Sequence, residues 1–184
     1  GGAGARCVGA RVAALWGVGG RWGRGTAQVR PDLPTNWHGY TAMFTPFRVN
    51  SDAMVGTANL PKFGDQAFKL EGRDLWLVPT AEVPLTNWHR DEILDGRDLP
   101  IRYVMYSPCW RSEAGAAGKD TRGYIRLHQF SKVEIVRITT EENQLAELAT
   151  LTGHHGLSPR AHARPVGNEG RPRWCPRPSK QHHA

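Results

Sequence analysis

The sequence is short of cysteine, has no long apolar run, and has no acidic residue before Asp32. Its three cysteines, Cys7, Cys109 and Cys175, lie far apart and match no zinc or disulfide spacing. That excludes a disulfide scaffold and fits a reducing, intracellular compartment. No stretch approaches the ~20 apolar residues that span a bilayer, so no membrane partner is expected. There is no internal repeat, and the paired histidines His154–His155 and His182–His183 lack the neighbours of a metal site. A nucleotide loop of the GxxxxGK[ST] kind is missing too. Only two residues separate Gly115 from Gly118, and Asp120 stands where a hydroxyl should follow Lys119.

What is present is unevenly distributed. The 184 residues carry a formal charge of +7, which alone would point to a nucleic acid. Residues 1–31 hold five arginines and no acid, and 152–184 hold six basic residues against Glu169. Residues 32–151 carry 13 basic and 16 acidic groups, so the basic character belongs to the two ends. Nine glycines in the first 25 positions and five prolines in the last 33 leave both ends too poor in apolar surface to offset ordering entropy. Segments 1–37 and 152–184 are therefore expected to be disordered, around a folded unit spanning 38–151.

Within that unit YTAMFTPFRV (40–49) alternates like a strand and is interrupted by Pro46. DLWLVPT (74–80) reads as a short apolar strand, and AEVPLTNWHRDEI as a helix with Pro84 in its first turn. Residues 100–113 and 123–138 read as two long strands joined by the glycine-rich 114–123. Leu145, Leu148 and Leu151 then mark a helix, with Thr139 and Glu142 spaced as a capping box. Strands at hairpin spacing with helices beside them predict an α+β fold on an antiparallel sheet.

The chemistry is concentrated in WRSEAGAAGKDTRGYIRLHQFSKVE (110–134). Along 124–138 the even positions include Tyr124, Arg126, His128, Phe130, Lys132 and Glu134, and the odd ones Ile125, Leu127, Val133 and Ile135. Side chains alternate faces along a strand, so the odd set should pack while the even set is presented elsewhere. A face with guanidinium, aromatic and carboxylate groups suits a purine, its phosphates and an ammonium group. The same pattern also describes the solvated face of a two-sided hairpin.

Three segments in order resemble a known family. HGYTAMFTPFRVN (38–50) resembles the end of class II motif 1, VPTAEVPLTN (78–87) the amino-acid-binding TAE segment, and 110–134 motif 2 of the bacterial-type seryl-tRNA synthetases. The resemblance implies a class II synthetase-type antiparallel sheet with flanking helices, incomplete because nothing after 151 resembles motif 3. It implies ATP-dependent activation of L-serine to seryl-adenylate and transfer to serine tRNA, in the cytoplasm, by a protein that is a homodimer in the family. Arg111 matches the motif 2 arginine that holds the α-phosphate. Ser112, Glu113, Arg126, Leu127 and Phe130 complete the implied ATP site, with Glu113 on the adenine amino group and Phe130 on its ring. Thr80, Ala81, Glu82 and Glu134 make the implied serine pocket. Residues 114–123 would form a loop closing over ATP, and Mg²⁺ would arrive on the ATP phosphates, with no metal held by the protein itself.

The family's N-terminal tRNA-gripping hairpin and the dimer-interface helix before motif 1 have no counterpart in this reading of 1–37. The two atypical ends read as out-of-frame translation around a gene fragment. The chain on its own is then expected to be inactive. The alternative reading is a non-catalytic truncated homologue that binds only nucleotide or a partner subunit.

Overall fold

Pro46 divides the first β-rich stretch as its missing N–H requires. Thr41–Ala42 (β1) before it and Arg48–Val49 (β2) after it enter different sheets. The computed structural model of the chain describes residues 11, 13–15, 17–114 and 126–160. The main sheet has the order β1-β4-β5. Ile101–Trp110 (β4) and Gln129–Ile138 (β5) pair antiparallel over their whole length, from Ile101↔Ile138 to Trp110↔Gln129. β1 lies along the other side of β4 and is parallel to it, a pairing that the long intervening chain permits. The second sheet pairs β2 with Trp76–Leu77 (β3). Just beyond β3, Val78 ties the two sheets together: its N–H donates to Phe47 O at 3.1 Å and its carbonyl accepts from Trp110 N at 3.0 Å.

One face of the main sheet carries Tyr103 and Met105, which bury Ala81 and Leu85 from the short helix Glu82–Thr86 and its approach. Val136 and Ile138 close that core from β5. A second cluster of Met54, Trp76 and Val83 lies under the helix Ser51–Gly56. That helix starts at Asn50, whose Oδ1 accepts from Ala53 N at 2.9 Å. Asn50→Ala should lower stability by about 1 kcal/mol, as loss of an N-cap does. The check is the urea midpoint, and an unmoved midpoint would show that the cap is dispensable.

Several expectations need correction. Residues 1–37 were expected to be disordered, yet Gly17–His38 forms a helix (α1) that packs on β4 and β5. A helix search looks for a stripe of large apolar residues. Here the residues that line the sheet side include Gly20, Gly23 and Ala27, while Val18, Val29 and Trp37 are exposed. Tertiary contact with β4 and β5 outweighs the poor propensity of glycine. In chain order the next helices are Ser51–Gly56 (α2), Glu82–Thr86 (α3) and Gln144–Arg160 (α4). α4 runs through the expected boundary at 151, and the rest of the tail lies outside the described residues.

The capping box also fails. Helix α4 begins at Gln144, after a turn in which Asn143 N donates to Thr140 O at 3.2 Å. Two leucines of its expected apolar stripe, Leu145 and Leu148, are exposed. The strand alternates as expected over the named residues: Val133 faces α1, and Phe130, Lys132 and Glu134 share the other face, which continues into the core at Val136 and Ile138.

Candidate active site

Register brings the functional side chains together. Phe130, Lys132 and Glu134 share one face of β5, opposite Cys109, Ser107 and Met105 of β4. Two-residue steps on a strand place successive groups roughly 6.7 Å apart. The turn before α3 meets this face. Thr80, buried by the packing of Ala81 and Val83, donates from Oγ1 to Glu134 Oε2 at 2.6 Å. Lys132 Nζ donates to Thr80 Oγ1 at 3.0 Å and forms an ion pair with Glu134. One carboxylate, one ammonium and one hydroxyl thus converge at the mouth of the sheet.

Beside them the Arg111 guanidinium lies over the Phe130 ring, 5.2 Å from its centroid. Its Nε donates to Pro79 O at 3.3 Å, which holds the fork on the site side. The backbone around it is anchored from two directions. Ser112 N and Oγ donate to Gln66 O and Asp65 O at 2.8 and 2.7 Å. Arg11 bridges the base of the hairpin: it donates to Glu113 O at 3.2 Å and its carbonyl accepts from His128 N at 2.9 Å. Glu113 adopts a left-handed φ of 54°, uncommon for a residue with a side chain and a conformation the surrounding bonds must hold. Its carboxylate pairs with Arg126 at 2.9 Å.

Of the residues singled out from sequence, Arg111, Ser112, Glu113, Arg126, Phe130, Thr80 and Glu134 therefore meet at this end of the sheet. Leu127 borders a groove of ≈ 920 Å³ between α1 and β5, which also opens onto Phe130 and Lys132. Ala81 is buried under the site. Glu82 differs from expectation: its side chain is exposed, and only its backbone N–H reaches the cluster, donating to Thr80 Oγ1 at 3.2 Å. It opens α3, where a carboxylate is favoured by the helix N-terminus and solvent instead of by the pocket. The loop expected to close over ATP falls, from residue 115 to 123, outside the described residues.

Sequence reasoning missed three contributors. Lys132 stands on the presented face, and its parity with Glu134 is a sufficient signal for a place in the site. Arg11 and the Asp65–Gln66 turn had no local signal, because what they do is hold distant backbone. Cys109 lies directly across the strand pair from Phe130, and burial pushes its thiol up, so it is not poised as a nucleophile.

The chain is similar to several known proteins. Residues 67–153 match the family model described as the tRNA synthetase class II core domain (G, H, P, S and T). The serine–tRNA ligase of Alkaliphilus oremlandii is 53% identical over 152 residues, covering 83% of this chain and 36% of that protein. That of Citrifermentans bemidjiense is 52% identical over 151 residues, covering 82% and 36%. Both matches are longer than the 38–151 span and so reach into at least one of the ends read as atypical. Among solved structures, the seryl-tRNA synthetase from Pyrococcus horikoshii complexed with ATP superposes with a TM-score of 0.75 at 37% identity, over 80% of this chain and 33% of that one. The cytoplasmic serine–tRNA ligase from Naegleria fowleri in complex with AMP gives 0.73 at 33% identity, over 82% and 35%. The chain spans about 36% of the length of the curated relatives it matches. Its mixed helix and antiparallel sheet fold is similar to class II tRNA synthetase structures, and the relatives it resembles are seryl-tRNA synthetases.

Proposed function

We propose that the chain forms the motif 2 half of a serine–tRNA ligase active site, which activates L-serine with ATP and passes it to serine tRNA in the cytoplasm. The observation that carries this reading is the convergence of Thr80, Lys132 and Glu134 beside the Arg111–Phe130 pair. Glu134 supplies a carboxylate for the substrate ammonium, and Thr80 holds it in place. Phe130 offers a ring face for adenine, and Glu113 an acceptor for the adenine amino group once Arg126 turns to the phosphates. Ser112, through its two bonds to the Asp65–Gln66 turn, fixes the backbone between Arg111 and Glu113. Arg111 binds the α-phosphate.

The reaction needs only two bond changes. A serine carboxylate oxygen attacks the α-phosphorus, the bond to the β-phosphate oxygen breaks, and pyrophosphate leaves with Mg²⁺ as part of the nucleotide substrate. A planar, permanently charged guanidinium suits the negative charge that grows on the α-phosphate oxygens. The tRNA hydroxyl then takes the seryl group from the adenylate and AMP leaves. Orientation of two substrates and charge stabilisation account for the catalysis.

Serine-dependent exchange of pyrophosphate into ATP is the test. Exchange with serine and not with threonine or alanine supports the reading, whereas exchange driven equally by other amino acids would overturn the pocket assignment. A second reading is binding of nucleotide without activation, for which the Phe130 ring face and the Arg111 guanidinium would suffice. ATP binding by calorimetry with no exchange at any serine concentration would select it.

A further inference from the structure

The opposite face of the sheet holds a polar cluster that the catalytic reading does not use. Arg102 and Arg137 are direct cross-strand partners, so two guanidinium groups lie side by side beneath α1 and α4. Like charges in that position are unfavourable. Arg137 is almost fully buried, with 3% of its side chain exposed, and its only acidic partner among the described residues is Glu147 of α4. Its Nε donates to Tyr40 Oη at 2.8 Å and its guanidinium lies over the Tyr40 ring. Its remaining nitrogen lies 3.0 Å from His154 Nδ1.

Arginine has donors only. His154 Nδ1 is therefore the acceptor, and Tyr40 Oη, 3.4 Å away, is placed to donate to the same lone pair. The ring must be neutral, with its proton on Nε2. His38, the last residue of α1, stacks on it with centroids 3.7 Å apart and planes 9° from parallel. The groups facing His154 are thus Arg102 from β4, Arg137 from β5, His38 from α1, Tyr40 from the segment before β1, and Glu147 from its own helix. Two arginines and a second histidine stand against one carboxylate. A proton on His154 would remove the acceptor and add a cation to this set.

We propose that the cluster is a proton-sensitive latch: neutral His154 fastens α4 to α1 and to β5, and its protonation releases α4 from the sheet. Burial and the surrounding cations act in the same direction, holding His154 below the ordinary histidine value. A base whose folded pKa is depressed binds its proton more readily unfolded. The stabilisation is full above about pH 6.5 and declines as pH falls from there towards the folded value. The latch stands whether or not the catalytic reading does.

The test compares thermal unfolding of the full chain and of His154→Gln between pH 8 and pH 5.5. The glutamine oxygen can accept from Arg137 and carries no charge at any pH. The wild-type folding equilibrium should weaken by up to about tenfold per pH unit below 6.5, the limit for one proton. The variant should lose most of that slope, and amide protection in 144–154, taken relative to the intrinsic exchange rate at each pH, should fall at pH 5.5 in the wild type alone. Independently of any variant, NMR titration of the wild-type ring should find His154 protonating below the ordinary value. Equal slopes in the two proteins, or a His154 ring that titrates at or above 6.5, would overturn the latch.

Discussion

Arg111→Ala is expected to abolish serine-dependent ATP–pyrophosphate exchange in a full-length ligase that carries these residues. The loss should be on the order of 10²–10³-fold in rate, about 3–4 kcal/mol, as for removal of a fixed donor aimed at developing charge. The guanidinium is held in advance by Pro79 O and by the face of Phe130, and its backbone N–H donates to His128 O at 3.0 Å. A group held this way does not need to reorganise as charge grows on phosphorus. Arg111→Lys should recover little, because a point charge cannot reproduce the planar fork or its stacking. Near-normal exchange in the alanine variant would remove Arg111 from the chemistry. A fall in ATP affinity with an unchanged rate would make it a ground-state binder only.

Glu134→Gln should act on the other substrate. The serine requirement is expected to rise roughly 10–150-fold, from loss of a charge-assisted contact worth about 1.5–3 kcal/mol, with little change in the ATP requirement. Among the described residues, Glu134 is the single carboxylate in contact with Thr80 and Lys132 at the mouth of the sheet. Removing its charge leaves Lys132 without its counterion and a substrate ammonium without a partner. Steady-state kinetics with each substrate varied in turn separates the two effects. If the ATP requirement rises and that for serine does not, the pocket sits on the wrong side of Arg111. Glu82→Gln should shift the serine requirement less, since that side chain is exposed at the start of α3. An equal shift in the two variants would show that serine binding draws the first turn of α3 inward.

The hairpin was the most legible element because its information is local. Alternation assigns Phe130, Lys132 and Glu134 to one face without any knowledge of the rest of the fold, and Arg111 follows from the partner strand. Pro46 and Pro84 were readable for the same reason, since each acts on its own residue and its immediate neighbours. Helix α1 was illegible because its glycines and Pro31 and Pro34 argue against a helix residue by residue. The sheet surface against which it rests is built by residues 60 or more positions further on, and no local window contains both.

The amino-acid sequence by itself determined the residue types of the site, their parity on β5 and the kinship of the central segments. It could do so because side-chain chemistry and strand alternation are properties of a few consecutive residues. Only the tertiary structure decided that Thr80 meets Glu134 and Lys132, 54 and 52 positions away, and that Glu82 does not. It alone brought Arg11 to the base of the hairpin and set His38 on His154. Such contacts depend on register and on how closely helices approach the sheet. Those are fixed by the summed burial of many residues, not by the residues in contact.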